Sequence, residues 1–232
     1  MLEIQQIMID ELEKVKDSIL IKGIKPEELS SMLGCLRGVV KKYNKGETVI
    51  SEGEQLKKFG LLIEGKLQVV QYDYLGNKSV VSVIEPKQIF GEAFAYVNKK
   101  SSMSVEAVAN SKVLFLDSEK LSSPCENCCV FHKQLVKNLL FIISNKNVNL
   151  TQKIECMSKR TTKEKLLTFL SLEAIKNNSK EFTISLDRQA LADYLGVERS
   201  AMSAELSKLR KDGIIECEKN RFKFRAYICQ NV

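Results

Sequence analysis

Two stretches of this 232-residue chain carry residue types at spacings able to do chemistry. The first is Cys125-Glu126-Asn127-Cys128-Cys129-Val130-Phe131-His132, which puts three thiols and the chain's one histidine within eight residues. At a helix N-terminus a thiolate is stabilised by the dipole and by unpaired amides, so Cys128 and Cys129 could be reactive. Cys125, Cys128, Cys129 and His132 together could hold a soft metal ion. Adjacent Cys128 and Cys129 point about 100° apart on a helix, so the four groups converge only if the first turn is irregular. The competing reading is that these are small residues packing a helix.

The second stretch runs from Asp187-Arg188-Gln189 through Gly196-Val197-Glu198-Arg199-Ser200 to Leu206. Asp187 can cap a helix, Ala192 is small enough to sit where two helices cross, and Gly196 can take the left-handed conformation that ends the first of them. This is helix-turn-helix spacing. Val197 then fills the angle and Met202, Leu206 and Leu209 face a core. That leaves Glu198, Arg199, Ser200, Ser203 and Ala204 outward on the N-terminal part of the second helix, the part that enters a major groove. Arg199 is the leading base reader, since an arginine can donate two hydrogen bonds to N7 and O6 of guanine; a solvated arginine or a phosphate contact is the alternative. Lys208, Arg210 and Lys211 extend the basic surface. Ile214 to Cys217, then Lys219-Asn220-Arg221 and Phe222-Lys223-Phe224, read as a hairpin wing whose basic tip suits phosphate.

The elements that must position these residues follow from periodicity. Up to about Val40 the pattern is helical, with Leu12, Val15, Ile19 and then Leu29, Met32, Leu33, Leu36 at spacings of three and four around Pro26. From Lys45 short apolar runs alternate with glycine turns: Thr48 to Ile50, Leu61 to Ile63, Leu67 to Gln71, Ser79 to Ile84, Met103 to Ala109 and Val113 to Leu116. Such spacing predicts a sandwich or barrel. Gly76-Asn77 signals a two-residue hairpin. After Pro124 a long helix runs to about Met157 with two apolar stripes, Phe131, Leu135, Leu139 and Ile142 on one, Val136, Leu140, Ile143, Leu150 and Ile154 on the other. One stripe can cover the β-domain; the other needs a partner, most simply the same helix of a second copy. Burial of both within one chain is the alternative. Ser158 to Arg160 reads as a hinge, and Thr161 with Glu164 as a capping box. Leu166, Leu167, Leu170 and Ile175 belong to a core helix, and Phe182 to Ser185 to a short strand. The fold expected is α+β: an N-terminal double-stranded β-helix (β-roll or jelly roll) over 1–123, a long dimerisation helix over 124–157, and a C-terminal winged helix-turn-helix over 158–232.

Composition agrees with a globular chain, 44% hydrophobic and 28% charged. The net charge is +7, and from Met157 onward fifteen basic residues face ten acidic ones, so a polyanion would dock there. The N-terminus lacks the pattern of a signal peptide, and no apolar run reaches the roughly 18–20 residues that span a bilayer. A cytoplasmic protein without membrane contact is expected, its seven cysteines mainly reduced thiols.

The order β-roll, long helix, Asp187-Arg188-Gln189 and Gly196 through Leu209 resembles the Crp/Fnr family of transcription regulators over essentially the full chain. Ile89-Phe90-Gly91-Glu92 looks like the Phe-Gly-Glu segment of the family's cyclic-nucleotide-binding fold, and Gly46-Glu47 with Glu52-Gly53-Glu54 like its opening strands. The resemblance implies a homodimer on a palindromic operator in double-stranded DNA, acting with RNA polymerase. Arg188 or Gln189 would touch phosphate, Arg199 and Ser200 would lie at base-contacting positions, and Glu198, Ser203, Lys208 and Arg221 would complete the DNA surface. In well-studied members glutamate often follows the position of Arg199 and arginine often stands at that of Ala204, so the operator need not be theirs. Glu205 stands where an apolar residue is common, for which Leu206 compensates. An effector pocket would include Gly91, Glu92, Ser101 and Ser102. Cyclic-nucleotide-binding members hold the phosphate with an arginine near the position of Ser101-Ser102, yet no arginine occurs between Arg37 and Arg160. Lys99 or Lys100 offers only a weaker point charge, so cAMP is not expected as the effector. The family's iron-sulfur sensor uses an N-terminal cysteine cluster, which is absent here; Cys35 stands alone. The input is therefore a small molecule, or metal or thiol redox chemistry at the Cys125–His132 cluster.

Two other classes compete. A redox enzyme using Cys125 and Cys128 would need a βαβ setting that these strands do not offer, so no enzyme is expected. A signalling module acting through protein contacts would not need the basic, register-correct second helix.

Overall fold

The computed structural model describes residues 11–123 and 129–225. The chain divides into two compact units, Met1–Ile143 and Ser144–Val232.

In the first unit a 3-10 turn (Ile19–Ile21) and helix α1 (Pro26–Cys35), whose Leu29, Met32 and Leu33 are buried, precede the strands. Eight strands follow: β1 (Val39–Tyr43), β2 (Thr48–Ile50), β3 (Lys58–Glu64), β4 (Leu67–Tyr72), β5 (Lys78–Ile84), β6 (Ile89–Phe90), β7 (Ser104–Ala107) and β8 (Ser111–Asp117). They form two four-stranded sheets of order β1-β8-β3-β6 and β2-β7-β4-β5, with antiparallel pairing throughout. Central β3 and β8 read as near-continuous apolar runs because both faces are covered, and Phe59, Leu61, Leu62, Leu114 and Leu116 are fully buried. Gly60 lets β3 and β6 close: a Cβ there would collide with the Phe90 ring. Helix α2 (Glu92–Val97) follows β6, and α3 (Ser118–Ser122) follows β8.

The expected β-roll is present, with local differences. Strand β1 occupies positions read as the end of a helical stretch: its burial does not alternate, and two of its five residues are lysines. Strand β6 is two residues long, too short to show a period. The β4–β5 connection is not a two-residue turn. It spans Asp73 to Asn77, where the Asp73 carboxylate accepts from the backbone N–H of Leu75 and Asn77 at 2.9 and 2.8 Å; Asp73 acts as a local turn-former.

Helix α4 (Val130–Ser158) carries the two stripes apart. Phe131, Leu135 and Leu139 are buried in the first unit's core. Asn138, also buried, donates to the carbonyls of Leu20 and Lys22 at 2.8 Å each, fastening the helix to the N-terminal segment. Val136, Leu140 and Ile143, then Leu150, Ile154 and Met157, are exposed. With Asn147 they form an unbroken 4-3 repeat of seven positions.

The division between units falls inside α4, after Ile143, rather than at 157/158. Cys156 is fully buried in the second core, and the Lys153 ammonium lies 5.4 Å from the Tyr194 ring centroid. The helix does end at Ser158, but its last turns are fixed in the C-terminal unit, so the break at Ser158 to Arg160 is not where the units part.

In the second unit α5 (Thr162–Lys176) starts on the expected box: Thr161 Oγ1 accepts from Glu164 N–H at 3.1 Å, and Glu164 accepts from Thr161 N–H at 3.0 Å. Leu166 and Leu170 are fully buried, but Ile175 is 75% exposed and lies outside the core. Helices α6 (Arg188–Leu195) and α7 (Arg199–Lys211) follow, with a sheet of order β10-β11-β9 from β9 (Glu181–Thr183), β10 (Ile215–Glu218) and β11 (Arg221–Phe224). Among the described residues no helix is long and apolar enough to cross a membrane.

Candidate nucleic-acid interface

The second unit displays helix α7. Asp187 caps α6 by accepting from Ala190 N–H at 2.8 Å. Fully buried Ala192 allows close helix crossing, and Gly196, at φ +60°, stops α6 in the left-handed region. Met202, Leu206 and Leu209 point into the core. Arg199, Ser200, Ser203, Ala204, Ser207, Lys208 and Lys211 therefore face outward, over a surface of small side chains that lets the helix backbone approach a groove.

The candidate side chains fall into distinct states. The Arg199 guanidinium is exposed and makes no hydrogen bond or ion pair among the described residues, so both edges of its fork are available. Glu198 is the N-cap of α7: its carboxylate accepts from Ala201 N–H at 3.0 Å and from the Ser200 hydroxyl. The Ser200 hydroxyl first, and then the backbone N–H groups, hold it below the usual carboxylate range. Glu198 thus shapes the helix start, and Ser200 is turned toward it. Ser203 donates to the Arg199 carbonyl at 2.9 Å, leaving its oxygen lone pairs outward. Lys208 pairs with half-buried Glu205 at 2.6 Å, which explains how an acid sits at that position beside buried Leu206.

The resemblance offers Arg188 or Gln189 for a phosphate contact, and in the structure Arg188 makes its contacts within the unit. It donates from Nη2 to the Lys219 carbonyl in the wing at 2.7 Å, and its guanidinium carbon lies 5.1 Å from the Phe222 ring centroid. Its Nη1 is buried without a hydrogen-bond partner among the described residues. It clamps the start of α6 to the wing tip, a tertiary role with no sequence signal. Exposed Gln189 donates to Asp193 at 2.8 Å. Arg221 is held by Glu181, so the cations of the wing that point away from pairs are Lys219 and Lys223. Between α7 and the wing lies an open cleft of about 720 Å³, lined by Ser207, Arg210, Lys211, Cys217 and Lys223 among others. Two of its acids, Glu181 and Glu216, are already neutralised by Arg221 and Arg225. The cleft thus keeps unpaired cations beside α7.

In the first unit Gly91, at φ +76°, precedes α2, and Glu92 is buried. Ser101 is buried and committed: its hydroxyl donates to the Met103 carbonyl at 2.6 Å, and its backbone bonds both ways to the Gly53–Glu54 turn. Ser102 is exposed. Of the cysteine cluster, Cys125 and Cys128 lie outside the described residues. Cys129 and His132 are half-buried at the start of α4. Cys35 stands alone in sequence, but folding brings its Sγ to 3.7 Å from His132 Nε2. Among the described residues no group of three or more His, Cys, Asp or Glu could hold a metal ion.

Comparison with known proteins agrees with both units. A cyclic nucleotide-binding domain matches residues 40–128, and a Crp-like helix-turn-helix domain matches residues 164–226. The CRP-like cAMP-activated global transcriptional regulator of Mycobacterium tuberculosis is 20% identical over 200 residues, covering 86% of this chain and 88% of that protein. The transcriptional activator FnrL of Cereibacter sphaeroides is 21% identical over 188 residues, covering 77% and 73%. Among solved structures, CprK complexed with OCPA superposes with a TM-score of 0.62 at 17% identity, over 86% of this chain and 92% of that one. A CooA mutant from Carboxydothermus hydrogenoformans gives 0.55 at 17% identity, over 83% and 86%.

Proposed function

This chain belongs to the Crp/Fnr family of DNA-binding transcription regulators, and from that premise we propose that it binds a palindromic operator as a homodimer, under control of a signal received in its N-terminal unit. The observation that carries the reading is α7: a core-anchored helix with an unpaired Arg199 at its groove-facing start and unpaired cations in the adjoining wing. Arg199 is assigned the direct base contact, Ser203 a polar neighbour, and Arg210, Lys211, Lys219 and Lys223 the phosphates. Glu198 and Arg188 are assigned the positioning of helix and wing.

Dimerisation is assigned to the exposed stripe of α4. A lone helix in water does not keep six large apolar side chains uncovered at heptad spacing; a second copy covers them with the same residues across a two-fold axis. A two-fold protein requires a two-fold site, with recognition helices about 34 Å apart in successive major grooves. Output follows as a change in recruitment of RNA polymerase at the promoter.

The effector is assigned to a class other than cyclic nucleotides. No arginine is available to the β-roll between Arg37 and Arg160, and the Ser101 hydroxyl is occupied by its own loop. A buried phosphate without a bidentate cation is poorly compensated. The relatives vary in the same respect, one being cAMP-activated and one neighbour holding OCPA.

Selection of duplexes from a random pool by the purified full chain, at about 0.15 M salt, tests the reading. Enrichment of a symmetric pair of half-sites is expected. Enrichment of nothing in reduced and oxidised protein alike would overturn it in favour of a module that acts through protein contacts.

A further inference from the structure

Cys35 ends α1 and His132 opens α4, yet Sγ and Nε2 are 3.7 Å apart although 97 residues separate them in sequence. No carboxylate orients His132 among the described residues. Its Nδ1 is buried there without a hydrogen-bond partner, its backbone N–H donates to the Cys129 carbonyl at 3.2 Å, and its ring lies beside Phe131. A buried polar atom left unpaired calls for a role. A resident metal would ordinarily have the second ring nitrogen hydrogen-bonded to fix the tautomer, and here that bond is missing among the described residues. Burial pushes the imidazole below its ordinary value, and Nε2 is the ring nitrogen that faces the thiol. Both residues are half-buried, within reach of a small reagent.

The geometry points to Cys35 and His132 as a thiol–imidazole couple in which Cys35 is the site of oxidation by small hydroperoxides. The Sγ proton passes to Nε2, and the thiolate attacks the nearer peroxide oxygen. An S–O bond forms, the O–O bond breaks, and the leaving oxygen takes the proton back from His132. The sulfur is oxidised by two electrons to a sulfenic acid, and the hydroperoxide is reduced to an alcohol, or to water from hydrogen peroxide. The product no longer offers a thiol between α1 and the first turn of α4, the helix that carries the exposed heptad stripe. That last link, from thiol to DNA, rests on the function proposed above; the chemistry at Cys35 does not.

The test treats reduced full-length protein with hydrogen peroxide, traps sulfenic acid with a 1,3-dione carbon nucleophile and maps the label by peptide mass spectrometry. Cys217, also half-buried, serves as the comparator within the same molecule. Cys35 is expected to label at least about tenfold faster than Cys217. Its rate should show a pH inflection that disappears in His132→Gln, with the rate at neutral pH falling at least about tenfold. Equal rates at Cys35 and Cys217 in the wild-type chain, or label confined to Cys125, Cys128 or Cys129, would overturn the assignment without recourse to any variant. Labelled Cys35 with unaltered operator affinity would sustain the couple and remove it from the regulatory pathway. Absence of label from a protein that still selects an operator would do the reverse.

Discussion

Arg199 and Arg188 belong to one unit, and under the proposed function they take opposite roles, Arg199 toward DNA and Arg188 within the fold. Arg199→Ala removes an unpaired exposed fork, so operator affinity should fall roughly 5- to 150-fold, the equivalent of about 1–3 kcal/mol, with the melting temperature unchanged. Arg188→Ala removes a clamp between α6 and the wing, so it should lower both melting temperature and affinity. Calorimetric melting beside fluorescence titration separates the two; equal melting losses would contradict the assignment. Lys211→Ala should weaken operator and random duplex alike and reduce the salt slope by about 1 for each phosphate it ceases to neutralise. Titration with cAMP at physiological salt should give no binding heat, and tight binding would contradict the exclusion of that effector. The outward positions of α7 were legible because Met202, Leu206 and Leu209 fix its buried face. The Glu198 cap and the Arg188 clamp were not. A helix-start acid reads equally as a DNA neighbour, and a guanidinium that crosses to a carbonyl 31 residues away leaves no periodic trace.

At the scale of elements, the strands legible in sequence were those with β-branched apolar runs, such as β2 and β5. Strand β1, with its lysines, and two-residue β6 were set by neighbours in the sheet rather than by their own pattern. The two stripes of α4 were legible because 3.6-residue periodicity separates them, but where the units part was not. That depends on Cys156 choosing the second core, which sequence alone does not tell. Asn147 completes the exposed 4-3 repeat at a position equivalent to those of Leu140 and Ile154. A lone polar residue there sets register and strand number at a cost in stability. Asn147→Leu should therefore tighten self-association while yielding species beyond the dimer, read by sedimentation equilibrium. An unchanged single dimer would place Asn147 outside the seam. Gly196→Ala should destabilise the C-terminal unit by about 1–2 kcal/mol through its left-handed backbone, since a Cβ there meets only ordinary contact with Met157.

For the whole molecule, one helix runs from the first unit into the second, and under the proposed function its uncovered face supplies the two-fold axis that a palindrome requires. Self-association and specific binding are then linked: Leu150→Lys should yield monomers that retain salt-sensitive binding to random duplex but lose preference for the operator. The most direct measurement compares the affinity of the full chain for its selected operator and for a scrambled duplex of equal length and composition, across a series of salt concentrations. Both affinities should fall linearly on a log–log plot, with the operator bound at least about 1,000-fold more tightly at physiological salt. Equal affinity for the two duplexes, or binding indifferent to salt, would contradict the assignment of α7 and its wing as the reader of a DNA sequence.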